Sequence, residues 1–163
     1  LFDVIKDVAL DYSIAFSSVE EIEEMNILNA TMLAMRRAID GLKTKADYAL
    51  IDGNRMPPLE IQGECVVKGD AKSMSVAAAS ILARYTFLRE LNKMSNEYSF
   101  TFLKGAGPEV DRVSISFVKA YGWDNLSNVA KLKFANTTRI KEYFVNNPLP
   151  KSKQGHINDD IIE

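Results

Sequence analysis

Two short apolar runs each end in an aspartate beside a glycine: Ala49-Leu50-Ile51-Asp52-Gly53 and Val66-Val67-Lys68-Gly69-Asp70. Short β-branched runs bounded by turn formers are strand signals, so both acids are expected where a buried strand reaches solvent. Gly53 and Gly69 permit the sharp turns beside them. Amphipathic helices surround these strands. Met25, Leu28, Met32, Met35, Ile39 and Leu42 recur at helical spacing and predict one apolar stripe on a helix from Val19 to about Leu42. Ser18, with Glu21 three residues later, forms its capping box. A second long helix is predicted from Val76 to about Lys93, opened by Ser73 or Ser75 and small-sided at Ala77, Ala78, Ala79 and Ser80. Strands separated by such helices define an α/β fold, a mixed sheet flanked by helices. Two acids delivered to one end of a sheet can share a hard divalent cation through oxygen ligands. An acid before a turn is also an ordinary cap.

The remaining elements are weaker signals. Leu1–Leu10 is predicted as a helix, Tyr12–Phe16 as a short strand, and Val110–Tyr121 as a helix. The two acid-bearing strands are predicted over Asp47–Ile51 and Glu64–Val67, and Pro57-Pro58 stops the first from continuing. One domain is expected over residues 1–147, followed by a disordered tail over 148–163. With 47% apolar residues and a net charge of −2, no basic excess advertises nucleic acid. A local cationic groove can still bind phosphate on a nearly neutral protein. A single cysteine, Cys65, excludes an internal disulfide and a cysteine-rich zinc site. A single histidine, His156, leaves no His-based metal cluster or catalytic triad. Without a long apolar span or a secretory signal, the expectation is a cytoplasmic monomer with no membrane partner.

Three segments together carry a resemblance. Ile51-Asp52-Gly53-Asn54, Lys68-Gly69-Asp70 and Ser75-Val76-Ala77-Ala78-Ala79-Ser80-Ile81-Leu82-Ala83 resemble, in order and interval, the IDGN, KGD and S-x-AAASILA segments of the bacterial ribonuclease HII family. The run Glu21-Ile22-Glu23-Glu24-Met25-Asn26-Ile27-Leu28-Asn29-Ala30-Thr31 is similar to the family's EID-x-x-NIL-x-A-T helix. Leu1-Phe2-Asp3-Val4-Ile5 fits the helix before it. The likeness covers roughly Leu1 to Gly107. It implies an RNase H-like fold and divalent-metal-dependent hydrolysis of the RNA strand in RNA–DNA hybrids, including single ribonucleotides embedded in DNA. The implied cofactor is Mn²⁺ or Mg²⁺. Asp52 would be a metal ligand and Asp70 the fourth carboxylate of the catalytic set. Ser73, Ser75 and the free N–H groups at the helix start would hold a phosphate. Lys68 and Lys72 would attract the backbone, and Asn54 would position substrate. Lys68 and Lys72 equally fit an ordinary solvated face, and Asn54 ordinary turn chemistry.

The chain also departs from the family pattern. The family's Asp-Glu pair and Gly-Arg-Gly segment have no counterpart in these residues, so the N-terminal strands and half of the metal-binding set are expected to be missing. Leu88 stands where the family usually has an Asp, and Ala106 where it places a Tyr that stacks at the substrate junction. The later His-Arg-x-Ser-Phe segment is not recognisable in Val129–Phe134. Two functions therefore stay open. One is a ribonuclease HII-type endonuclease; the other is a catalytically inactive divergent copy that binds nucleic acid or protein.

Overall fold

The computed structural model describes residues 1–98, 108–126 and 135–157. The expectations placed on Ala106, on Val129–Phe134 and on 158–163 lie outside the described residues. The chain divides into two compact units, one of residues 1–18 and 25–90, the other of residues 19–24 and those from Leu91 onward. The sequence reading had expected one domain over 1–147.

The first unit holds α1 (Phe2–Val8), most of α2 (Val19–Asp40), β1 (Tyr48–Asp52), β2 (Gln62–Val66), a 3₁₀ turn at Gly69–Ala71, and α3 (Met74–Glu97) as far as Glu90. The α/β reading holds, as a helix-rich fold with a small sheet. Among the described residues, β1 pairs in parallel with β2, Tyr48 opposite Gln62 and Asp52 opposite Val66. Side chains alternate across a strand, and here Ala49 and Ile51 are buried while Tyr48, Leu50 and Asp52 face out. In α3, Val76, Leu82 and Thr86 are buried, and Tyr85 stacks on Phe2 of α1 with ring centroids 4.3 Å apart.

Two expectations fail in this unit. Tyr12–Phe16 is not a strand but irregular backbone laid along α2. Ser17 Oγ donates to the Ala30 carbonyl at 2.6 Å, and Arg37 Nη1 donates to the Phe16 carbonyl at 3.2 Å. Contacts from a helix thus replace the strand ladder that the apolar composition had suggested. The stripe on α2 is not continuous either. Asn26 breaks the helix with φ 69° and ψ 164°. Its Oδ1 accepts the N–H groups of Leu28 at 3.0 Å and Asn29 at 3.1 Å, capping the downstream stretch. Asn tolerates positive φ and bonds nearby backbone more readily than most residues, so it competes with the helix instead of continuing it. Met25, Met32, Met35, Ile39 and Leu42 are half-buried, and Leu28 is 38% exposed.

The second unit is helical, with α4 (Pro108–Tyr121), α5 (Ala135–Asn146) and α6 (Lys151–Gln154). Phe117, Val118, Trp123, Leu126, Ile140, Phe144 and Leu149 form its core. Arg139 pairs with Asp111 through both carboxylate oxygens, at 2.7 and 3.2 Å, joining α5 to α4. Lys153 Nζ donates to the carbonyls of Lys119 and Ala120 at the end of α4, at 2.7 and 2.9 Å. These contacts correct the disordered tail: within 148–157, Leu149 is buried and α6 is tied to α4, because one apolar side chain and a lysine at a helix C-terminus anchor the segment. α5 went unrecognised from sequence, although Ile140 and Phe144, four apart, mark its buried face.

Candidate active site

The parallel pairing of β1 and β2 sends both strand ends the same way. Asp52, the last residue of β1, therefore lies beside the turn that follows β2. Asp52 Oδ1 accepts the Gly69 N–H at 2.8 Å, and the Gly53 N–H donates to the Val66 carbonyl at 3.1 Å. Gly53 has φ +123°, a backbone geometry that a side chain at this position would strain. Lys68 takes a left-handed conformation, φ 56° and ψ 49°, that swings the chain into the Gly69–Ala71 turn. For a lysine this costs about 1 kcal/mol or more, a local strain of the kind that clusters at functional sites. Gly69 is packed tightly. A Cβ there would stand 3.0 Å from Val76 Cγ1 and 3.3 Å from Asp52 Oδ1.

The turn runs directly into α3. The Ala71 N–H donates to the Lys68 carbonyl, and the Lys72 and Ser73 N–H groups both donate to the Gly69 carbonyl, at 3.0 and 2.8 Å. Ser73 Oγ accepts the Val76 N–H at 3.5 Å, so Ser73, and not Ser75, opens the helix. Asp70 and Lys72 are exposed within this turn, Ser75 is exposed in the first turn of α3, and Asn54 is exposed past Gly53. Asp52, Lys68 and Asp70 thus share one exposed rim, with Asp70 one residue beyond the glycine that Asp52 binds. Leu88 lies further along α3 and is 42% exposed.

Asp52 and Asp70 offer the hard oxygen donors that Mg²⁺ and Mn²⁺ prefer. Their number is short of a complete site. Among the described residues, no three His, Cys, Asp or Glu side chains are grouped to hold a metal ion. The donor chemistry of these two carboxylates fits a divalent cation.

The family model for ribonuclease HII matches residues 2–137. This chain belongs to the ribonuclease HII family. The match extends past Gly107, where the sequence likeness had been placed. Curated relatives named ribonuclease HII agree. The protein of Paracidovorax citrulli is 49% identical over 110 residues, 66% of this chain and 46% of that protein. The one from Acidovorax sp. strain JS42 is 51% identical over the same length, covering 53% of the relative. That of Clostridioides difficile is 48% identical and covered to 43%. The chain therefore spans about half the length of the curated relatives it matches. Among solved structures, it is similar to Bst-RNase HIII in complex with Mn²⁺, with a TM-score of 0.68 and 26% identity over 78% of this chain and 48% of that one. The fold is also that of ribonuclease H2 from Pyrococcus horikoshii, with a TM-score of 0.75 over 90% of this chain and 75% of that one, at 23% identity.

Proposed function

We propose that this ribonuclease HII chain carries the Asp52/Asp70 part of an endonuclease active site. Its substrates are the RNA strand of RNA–DNA hybrids and single ribonucleotides embedded in DNA. The observation that carries the reading is the Asp52–Gly69 hydrogen bond, which joins the Ile51-Asp52-Gly53-Asn54 and Lys68-Gly69-Asp70 segments at one end of a parallel sheet. Asp52 and Asp70 are the residues that would hold Mn²⁺ or Mg²⁺. When bound, such ions supply an activated water and neutralise charge on the leaving oxygen. The Gly69 N–H fixes one Asp52 oxygen and so sets the direction of the other. Lys68 and Lys72 draw the phosphate backbone towards the rim, while exposed Asn54 and Ser75 offer neutral hydrogen-bonding groups. Ser73 supports the site by capping α3 and holding its first turn.

Two carboxylates are too few to fix adjacent cations against their repulsion, and a misplacement of about 1 Å can cost roughly a hundredfold in rate. The test is cleavage of a labelled duplex containing one ribonucleotide, in Mg²⁺ or Mn²⁺, with chelator as control. The chain as given is expected to cleave feebly or not at all. Extension with a family segment bearing the Asp-Glu pair should raise the rate by orders of magnitude. Asp52→Asn should then abolish that activity while leaving the circular dichroism spectrum unchanged. Metal-dependent cleavage by the unextended chain, indifferent to Asp52→Asn, would place the chemistry elsewhere. Leu88 on α3, where the family usually has an Asp, favours a second reading, a catalytically silent binding module. An extended chain that binds the duplex without cutting it would select that reading.

A further inference from the structure

Between the downstream part of α2 and the turn after β1 lies an open groove of about 410 Å³. Arg36 and Arg55 line it together with Asn29, and Met32, Met56 and Pro58 contribute apolar surface; among the described residues no carboxylate lines it. Arg36 makes a 3.4 Å ion pair with Asp40, one helical turn away, but both side chains are more than half exposed. Such a pair is worth little, so Arg36 can turn to another anion at small cost. Arg55 is exposed and follows Asp52 by three residues. Its Cα can lie no further than about 11 Å from that of Asp52, at roughly 3.8 Å per residue. That bound amounts to at most about three base-pair steps of axial rise along a duplex, at roughly 3.4 Å each.

We propose that this groove holds the sugar–phosphate backbone of the duplex a few nucleotides from the bond addressed at Asp52, with Arg36 and Arg55 each pairing a phosphate. The inference rests on the proposed function and extends it to a substrate-binding surface. Guanidinium groups present a planar fork that matches phosphate oxygens. The thioethers of Met32 and Met56 are adaptable apolar surfaces that can follow the sugar faces. An apolar peptide in the same groove would cover the Arg55 guanidinium without pairing it, which is unfavourable.

The experiment is an anisotropy titration of a fluorescein-labelled duplex containing one ribonucleotide, in chelator, over a series of salt concentrations. Each phosphate contact contributes about 0.9 to the slope of log affinity against log salt. R36A and R55A should each lower the slope by about one. The double variant should lower it by about two and weaken binding tenfold or more at low salt. R36K/R55K keeps both charges and should restore most of the slope. Thermal melts by circular dichroism check that each variant is folded. A slope unchanged in the double variant overturns the proposal. So does a weakening that is equal at all salt concentrations, as an apolar occupant would give. If the parent chain binds the duplex and the double variant behaves identically, the groove assignment fails alone. If the duplex is bound neither by the parent chain nor by the chain extended with the Asp-Glu segment, the groove and the proposed function fail together.

Discussion

The second unit buries Phe117, Val118, Trp123, Leu126, Ile140, Phe144 and Leu149 in one cluster, with Trp123 and Phe117 at most 1% exposed. The first unit, which carries Asp52 and Asp70, buries smaller or more isolated apolar groups: Ala30, Ala49, Ile51, Val76 and Leu82. It leaves Tyr48 and Leu50 on the open face of β1 half or more than a third exposed, and Leu10, Val8 and Val67 further out still. Two strands alone are marginal in water and gain stability from further strands or a covering layer. The site therefore sits in the region whose own core is thinner, while the densest packing lies where none of the quoted motifs falls. The motif acids and the largest buried side chains therefore lie in different units, and the two units should respond differently to substitution.

The largest expected contrast pits Trp123→Ala against Leu28→Ala. Removing the buried indole should cost about 3–5 kcal/mol, read from urea midpoints and loss of near-ultraviolet dichroism. Truncating Leu28, 38% exposed, should cost roughly 1 kcal/mol or less, against the about 2–5 kcal/mol of a buried leucine. Equal costs would break the comparison. Next comes Gly69→Ala, whose Cβ presses on Val76 and the Asp52 carboxylate. A loss of about 1–3 kcal/mol is expected from overpacking. The Asp52 carbonyl and carboxyl resonances should shift as the hydrogen bond to residue 69 is displaced, and unmoved resonances would show that the turn relaxes freely.

Thr86→Val tests the thinner core from the other direction. Thr86 Oγ1 is buried with no hydrogen-bond partner among the described residues. Replacing the hydroxyl with a methyl should raise the thermal midpoint, by an amount equivalent to about 1 kcal/mol. A fall would mean that the hydroxyl is satisfied in solution. The smallest effect concerns Asp11. The Thr44 N–H above all, and those of Tyr12 and Lys43, hold its carboxyl below the ordinary value of 3.8. A carboxyl with a depressed folded pKa adds stability above its unfolded pKa and loses it as pH falls through the folded one. Asp11→Asn should therefore flatten the decline of the urea midpoint below about pH 4 and leave a small deficit at neutral pH. An unchanged acid limb would show that the three N–H groups do not act through its charge.

Much of the site was legible because its determinants are local. Gly53 is required by a positive φ, Ser73 by the orphan N–H groups at the start of α3, and β1 by an apolar run ending at Asp52. α4 was legible in the same way, from its own amphipathic spacing. Lys68 in a left-handed turn was missed, since nothing in a lysine announces that conformation. The Arg36–Arg55 groove was missed because its two walls are nineteen positions apart in the chain.

By itself, the sequence determined that α1 to α4, β1 and β2 form and which family the chain belongs to, because periodicity, capping and turn sterics act among neighbouring residues. The tertiary structure alone decided the parallel register that lays Asp52 against Gly69, the conversion of Tyr12–Phe16 from candidate strand to a segment pinned on α2, and the packing of Leu149 and α6 onto α4. Those outcomes turn on which distant groups satisfy a backbone hydrogen bond or cover an apolar side chain. Such partners are chosen by burial across the whole fold, and no local pattern encodes them.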